Sequence, residues 1–358
     1  MRRLLGMDET IDLEPRQKAI VNLLAQNAEL SREEIAGKLA SFYPVSKATL
    51  ARDLSKLVDQ RVIQAVGKGP SRVYKTLASH PLLRFVDLDQ YFALEPDQRK
   101  EVKTAFSQEI FGKLPGIIFS REKKELDLVF RSFSKTDDAL DSTLWQRELE
   151  RFMIELSWKS SRIEGNTYSL LETETLIKQS QEAIGKTKQE ATMILNHKDA
   201  FKVIVEHRDQ FKTLSVSVIS QLHNVLTKGL SITSGIRKHA VGITGTTYKP
   251  FDNEWQNKEA LDKLIAVVNA VDFPLEKALI IAAMVSYIQP FADGNKRTSR
   301  MLANAILMAY DYFPLSYRSV DENEYKKAMI LFYETNNLYH VKRLFLDQYR
   351  FALSTYFL

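Results

Sequence analysis

Ile288-Gln-Pro-Phe-Ala-Asp-Gly-Asn-Lys-Arg-Thr-Ser-Arg300 lies between two runs of helical periodicity, Leu275 to Ile288 and Arg297 to Tyr310, so it reads as a helix-loop-helix. Gly294 and Asn295 suit a turn whose backbone N–H groups all face one way, and a helix N-terminus follows at once. Together these make an anion cradle, for which phosphate is the natural guest. Asp293 is placed to ligate a magnesium ion that already holds phosphate oxygens, the usual manner in which magnesium is bound. Arg297 and Arg300 fall three apart on one helix face, spaced to fork onto phosphate oxygens. The Gly-x-x-x-x-Gly-Lys-Ser/Thr spacing of a P-loop is absent. An acid, a nest and two arginines in this order point to a nucleotide site.

Outward from this loop, the periodicity is helical almost throughout from about Trp145 onward. The exception is residues 231 to 251, rich in Gly, Thr and β-branched residues, which predict one β-hairpin inside a helical bundle. Trp145, Phe152 and Leu156, and later Phe345, Tyr349 and Leu353, fall at helical spacings and read as core. Tyr333, Asn336 and Asn337 lie late enough to complete a base pocket.

The N-terminal part has a different grammar. Ile20, Leu23 and Leu24 open a helix; Ser31 and Glu34 form a capping box before Ile35 and Leu39. After Pro44, Ser46 caps a third helix in which Leu50, Leu54, Leu57 and Val58 line one face and leave Lys47, Thr49, Arg52 and Lys56 on the other. Val62 to Val66 and Val73-Tyr74 then flank the Gly/Pro turn Gly67 to Arg72, which carries Lys68. Three helices and a basic hairpin over residues 14 to 77 resemble a winged helix-turn-helix domain, with Ser46 to Gln60 as recognition helix. In such modules the helix enters the major groove and the wing meets phosphates, so DNA is the implied partner. Residues 46 to 77 hold seven Lys and Arg, Arg61 and Lys75 among them, against Asp53 and Asp59, an excess equal to the +5 of all 358 residues. Residues 78 to 144, with Pro81, Pro96, Pro115 and Gly116 amid pieces such as amphipathic Gln98 to Phe111, read as a helical connector. The domains expected are therefore 1–77, 78–144 and 145–358.

Composition narrows the class further. Hydrophobic residues at 44% and charged residues at 27% fit a folded globular protein and exclude disordered or fibrous classes. The absence of cysteine excludes disulfides, thiol nucleophiles and Cys-ligated metals, and fits a cytoplasmic setting. The longest stretches free of Asp, Glu, Lys and Arg, Thr213 to Thr227 and Ala278 to Ala292, have 15 residues each, too short for a membrane span. Asp8, Glu9 and Asp12 interrupt the apolar core that an export signal would need.

The loop resembles the signature of the Fic family, His-Pro-Phe-x-Asp/Glu-Gly-Asn-Gly/Lys-Arg-x-x-Arg, at eight of nine defined positions. The resemblance extends over roughly residues 145 to 340. It implies a mainly α fold, a helical core with a β-hairpin flap, here 231–251, that binds the target by strand addition. It also implies transfer of AMP from ATP, with Mg2+, to a Ser, Thr or Tyr hydroxyl. By that resemblance Asp293 holds the metal; Gly294 and Asn295 bind the α-phosphate region; Arg297 and Arg300 meet the β- and γ-phosphates; Lys296 joins them as a nucleotide-binding residue; and Phe291 anchors the loop. One position departs: Gln289 stands where the family has its general-base histidine, and an amide takes no proton. His239, beside the flap, is the one substitute base considered. Ser160-Ser-Arg-Ile-Glu-Gly165 resembles the family's inhibitory element, in which Glu164 opposes Arg300 and leaves no room for the γ-phosphate; Gly165 also suits a helix C-terminus. The expectation is an adenylyltransferase restrained by Glu164. Two alternatives stand beside it: a nucleotide-sensing, DNA-binding regulator with a degenerate Fic module, and removal of AMP with Glu164 activating water.

Overall fold

The computed structural model describes residues 13–27, 29–40, 43–60, 62–76, 80–100, 102–134 and 142–356. The stretch read for an export signal, residues 1–12, and Arg61 of the basic run lie outside them. The chain divides into two compact units, one comprising the residues up to Arg99 with Asn337–His340, the other Lys100–Asn336 with Val341–Leu358.

The first unit runs α1 (Pro15–Gln26), β1 (Leu30–Ser31), α2 (Arg32–Leu39), α3 (Lys47–Asp59), β2 (Ile63–Val66), β3 (Val73–Thr76) and α4 (Leu88–Phe92). The capping box forms: Ser31 Oγ accepts from Glu34 N, and the Glu34 carboxylate accepts from Ser31 N at 2.7 Å. Ser46 Oγ accepts from Thr49 N at 3.1 Å and starts α3. The three strands pair antiparallel in the order β1-β3-β2, with Ile63 opposite Thr76 and Val66 opposite Val73. The two-residue β1 escapes sequence reading because so short a strand has no period. Ile20, Leu24, Ile35, Leu39, Leu50, Leu54, Leu57, Ile63 and Tyr74 make the core. Asp53 belongs to this buried face rather than to the surface charge, 5% exposed and held by Arg16 Nε at 2.5 Å and Gln17 Nε2 at 3.1 Å. Lys47, Arg52, Lys56, Lys68 and Arg72 are exposed.

The second unit holds α5 (Ser120–Ser134), α6 (Ser142–Ile163), α7 (Leu170–Gln179), α8 (Lys188–Glu206), α9 (Val216–Thr227), α10 (Glu254–Ala270), α11 (Pro274–Ile288), α12 (Asn295–Ala309), α13 (Glu322–Thr335) and most of α14 (Tyr339–Thr355). The chain is mainly helical, as expected. α11 is buried along Leu275–Ile288, Glu276 and Lys277 included, so α11 and α12 form the centre and the other helices cover them. Phe152, Leu156, Phe345, Tyr349 and Leu353 are core; Trp145 is 38% exposed, because it lies in the first turn of α6.

Two expectations change. Gln98 to Phe111 is not a helix beyond a 3-10 turn at Gln108–Lys113; its backbone is satisfied tertiarily, Lys103 N donating to Glu334 O and Thr104 O accepting from Lys249 N. Residues 231–251 form no hairpin ladder, only a single bridge between Ala105 and Lys249. Their donors go elsewhere, Arg237 N to Pro290 O at 2.9 Å and Lys249 N to Thr104 O at 2.9 Å. Among the described residues no helix is long and apolar enough to cross a membrane.

Candidate nucleotide site

The loop Gln289–Gly294 joins α11 to α12 through two left-handed residues. Gln289 (φ 53°) ends α11 and Gly294 (φ 77°) begins α12. At Gly294 a Cβ would come within 3.0 Å of Thr227 Cγ2 and 3.3 Å of Arg297 Nη2, a tight fit, and its positive φ strains any L side chain. Asn295 ties the loop into a ring, its Oδ1 accepting from Phe291 N at 2.9 Å and its Nδ2 donating to Phe291 O at 2.8 Å and Gln289 Oε1 at 2.9 Å. Phe291 is fully buried and stacks on the His223 ring at 3.8 Å. The free N–H groups of the first turn of α12 thus open at a rigid loop.

A cavity of about 490 Å³ opens over this turn. Gln289, Asp293, Gly294, Asn295, Lys296 and Arg297 line one side, Ile163, Glu164 and Gly165 another, and Val241 to Thr244 a third. Tyr325, Lys326, Met329, Ile330 and Tyr333 of α13 complete it. Of the late residues proposed for a base pocket, Tyr333 lines the cavity, while Asn336 and Asn337 do not. His239 is exposed and does not line it either; its carbonyl accepts from Arg237 Nη1.

Charge in the cavity is arranged around Glu164. Its Oε1 lies 2.8 Å from Arg300 Nη1 and its Oε2 3.8 Å from Lys296 Nζ. Burial opposes ionisation of Glu164, but Arg300, Lys296 and Arg297 outweigh it and hold the carboxyl below the usual range. Arg300 is fully buried, and Ser160 holds it as well: Nε donates to Ser160 Oγ at 3.0 Å and Nη2 to Ser160 O at 2.8 Å. Arg297 is 3% exposed, 3.6 Å from Asp293 Oδ2. Asp293 itself is exposed, its Oδ1 accepting from Gly294 N at 2.6 Å.

Gln289 lines the cavity, but its amide is no base and both its polar atoms are committed to the loop. Its Nε2 donates to Ser286 O at 2.7 Å while its Oε1 accepts from Asn295. Sequence reasoning missed three residues that build the site. Arg237, 5% exposed, braces the loop from outside, with Nε donating to Gln289 O at 2.6 Å and Nη2 to Asn257 Oδ1 at 3.2 Å. His223 bonds Thr298 Oγ1 at 3.1 Å. His197 bonds Ser160 Oγ at 2.9 Å. A lone arginine within a Gly/Thr-rich run was the only signal available.

Two buried helices are thus joined by a loop that opens the first turn of α12 into a cavity, with an acid from the turn after α6 set against the last arginine of the motif. Residues 213–307 match the model of the Fic/DOC family. The chain is 28% identical over 184 residues to "Protein adenylyltransferase Fic" of Nematostella vectensis, a match covering 50% of this chain and 43% of that protein. It is 29% identical over 193 residues to the protein of the same name from Culex quinquefasciatus, covering 52% of this chain and 38% of that one. The match thus spans under half the length of these curated relatives. Among solved structures, a Fic domain containing signaling protein from Bacteroides thetaiotaomicron shares the fold at a TM-score of 0.56 and 19% identity, over 65% of this chain and 94% of that one. Fic-1 from C. elegans (residues 134–508) does so at 0.56 and 21%, over 66% and 72%.

Proposed function

We propose that this chain is a protein adenylyltransferase held off at rest by Glu164. It would transfer AMP from ATP to a hydroxyl of a target protein. The observation that carries this reading is the position of the Glu164 carboxylate, 2.8 Å from Arg300 Nη1, beside the anion-binding turn and in the same cavity as Val241 to Thr244. A carboxylate there uses the charge partner that a terminal phosphate would need. The phosphates fit the turn because Gly294 carries no side chain and the first-turn N–H groups of α12 have no acceptor within their own helix. Magnesium fits the exposed Asp293 carboxylate, since this ion takes one or two carboxylates and completes its shell with phosphate and water. When bound, it would neutralise charge developing on the phosphates.

In the reaction, a target hydroxyl oxygen bonds to the α-phosphorus, the bond from that phosphorus to the bridging oxygen breaks, and pyrophosphate leaves. Val241 to Thr244 would align the target segment, and Lys296, Arg297 and Arg300 would hold charge. The hydroxyl proton passes to solvent water and not to a side chain at 289, because an amide is no base and both polar atoms of Gln289 are engaged by the loop. Positioning and charge stabilisation carry most of phosphoryl-type transfer, so rate is lost rather than reaction type.

Transfer of label from α-phosphate-labelled ATP with magnesium tests this in the parent chain and in Glu164→Gly. Label on protein only in the variant is the expected result. A variant that binds Mg-ATP yet labels neither itself nor any lysate protein would overturn it.

A second reading is favoured by the first unit. Lys47, Arg52 and Lys56 on α3, with Lys68 and Arg72 on the β2–β3 turn, are exposed and form no ion pair among the described residues, which suits a phosphate backbone. On this reading the nucleotide domain reports to a DNA-binding unit, and DNA affinity responds to ATP.

A further inference from the structure

Ser160 Oγ bonds to both His197 and Arg300, and the direction of each bond follows from chemistry. His197 Nδ1 lies 2.8 Å from Met193 O, and a carbonyl only accepts, so Nδ1 carries the proton. Burial, with Arg297 and Arg300 adding to it, pushes the His197 imidazole down to about 3, so Nε2 is a bare acceptor at neutral pH. Ser160 Oγ, 2.9 Å away, therefore donates to Nε2 and turns its lone pairs toward Arg300 Nε, 3.0 Å away. Ser160 O accepts from Arg300 Nη2 at 2.8 Å. His197, Ser160 and Arg300 are each at most 1% exposed.

Besides the Tyr325 ring, which lies 5.7 Å from its guanidinium carbon, Arg300 is held through its nitrogens in two ways. Two bonds, through Nε and Nη2, go to Ser160 and do not involve Glu164. The third, through Nη1, goes to Glu164, which lines the cavity. Removal of Glu164 leaves the guanidinium held on two sides, with Nη1 still directed to the place the carboxylate occupied.

We infer that His197 is a positioning residue for nucleotide binding: acting through Ser160, it keeps Arg300 aimed at the terminal phosphates once Glu164 has withdrawn. This rests on the adenylyltransferase reading and changes one part of it. Ser160 belongs to the inhibitory sequence element, but its hydroxyl serves the released state, and Glu164 alone supplies the block.

Calorimetric binding of ATP and of AMP, each with magnesium, separates these roles without requiring turnover. In a Glu164→Gly background, His197→Leu and Ser160→Ala should each weaken ATP binding about tenfold, the scale of one missing buried hydrogen bond to a charged group. AMP, which lacks the terminal phosphates, should bind unchanged. His197→Gln, which puts an acceptor at the reach of Nε2, should restore ATP binding to within about twofold of its parent. Ser160→Ala deletes a single oxygen, so it keeps the test open if His197→Leu does not fold. Equal losses for ATP and AMP, unchanged ATP binding, or tighter ATP binding in Ser160→Ala would each overturn the inference. Failure of Glu164→Gly itself to bind ATP would overturn the adenylyltransferase reading and this inference with it.

Discussion

Gln289 Oε1 accepts from Asn295 Nδ2 at 2.9 Å, and this one bond turns the residue in the family's general-base position into a strut of the loop. With Nε2 committed to Ser286 O, the amide closes the C-terminus of α11 onto the first residue of α12. Gln289→His in a Glu164→Gly background should therefore raise the rate constant of AMP transfer about 10²- to 10⁴-fold, the usual worth of a general base. The Michaelis constant for ATP should hardly move, since the phosphates are held by other residues. A change confined to that constant, measured by single-turnover and steady-state labelling, would show that position 289 acts on binding and not on proton transfer.

Removing Glu164 should cost stability and return it on nucleotide binding. The carboxylate side chain is 19% exposed and Arg300 is fully buried, so Glu164→Gly leaves a buried cation with one arm unpaired. Breaking such a pair costs about 3 to 5 kcal/mol, and the lower end applies here because Ser160 keeps two bonds to Arg300. ATP at about 100 times its dissociation constant stabilises by about 2.7 kcal/mol. Thermal unfolding should show Glu164→Gly less stable than the parent without nucleotide, and raised by Mg-ATP more than the parent is.

Acid should undo this region from about pH 6.5 downward. Burial, joined by Arg297, pushes His223 down to about 4, and His197 to about 3. The unfolded chain takes these protons near the ordinary value of 6.5, and the folded chain refuses them, so the unfolded state binds more protons. Stability is then full above 6.5 and falls with pH down to those depressed values, at about 1.4 kcal/mol per pH unit for each histidine. Glu164, also held below its ordinary 4.5, extends the loss at the acid end. Denaturant titrations between pH 8 and 4.5 should show the slope, and His223→Asn or His197→Gln should flatten it. A profile level from pH 8 to 5 would contradict the buried neutral imidazoles.

What the sequence discloses and what it hides divides by distance along the chain. Gly294, Asn295 and Arg297 are legible because their chemistry is settled within a dozen residues; the helices read as Leu275 to Ile288 and Arg297 to Tyr310 are found at Pro274–Ile288 and Asn295–Ala309. His197 and His223 carry no local sign, since their partners Ser160 and Thr298 lie 37 and 75 residues away. The segment 231–251 misleads as a hairpin because β-branched residues and glycine suit any extended chain, and the destination of its N–H groups decides the rest. Asp53 could have been read correctly, for it falls between Leu50 and Leu54 on the apolar side of α3.

Burial of Asp53 also sharpens what is expected of the first unit. With that acid neutralised by Arg16, the exposed part of α3 presents Lys47, Arg52 and Lys56 against Asp59 alone. Ser46 fixes the first turn of the helix by accepting from Thr49 N, so these side chains project from a backbone already set. Binding to duplex DNA should fall with salt, and a variant that neutralises one phosphate fewer should show a log-log slope shallower by about 0.9. Arg52→Ala and Lys56→Ala should each weaken binding alike across duplexes of different sequence if they meet phosphates, whereas a bond to a base edge would lower affinity chiefly on one sequence. Fluorescence anisotropy at several salt concentrations, with and without Mg-ATP, distinguishes these cases. Unchanged affinity in both variants, or no binding at low salt, would remove DNA from the function of this unit and leave its basic face to a protein partner.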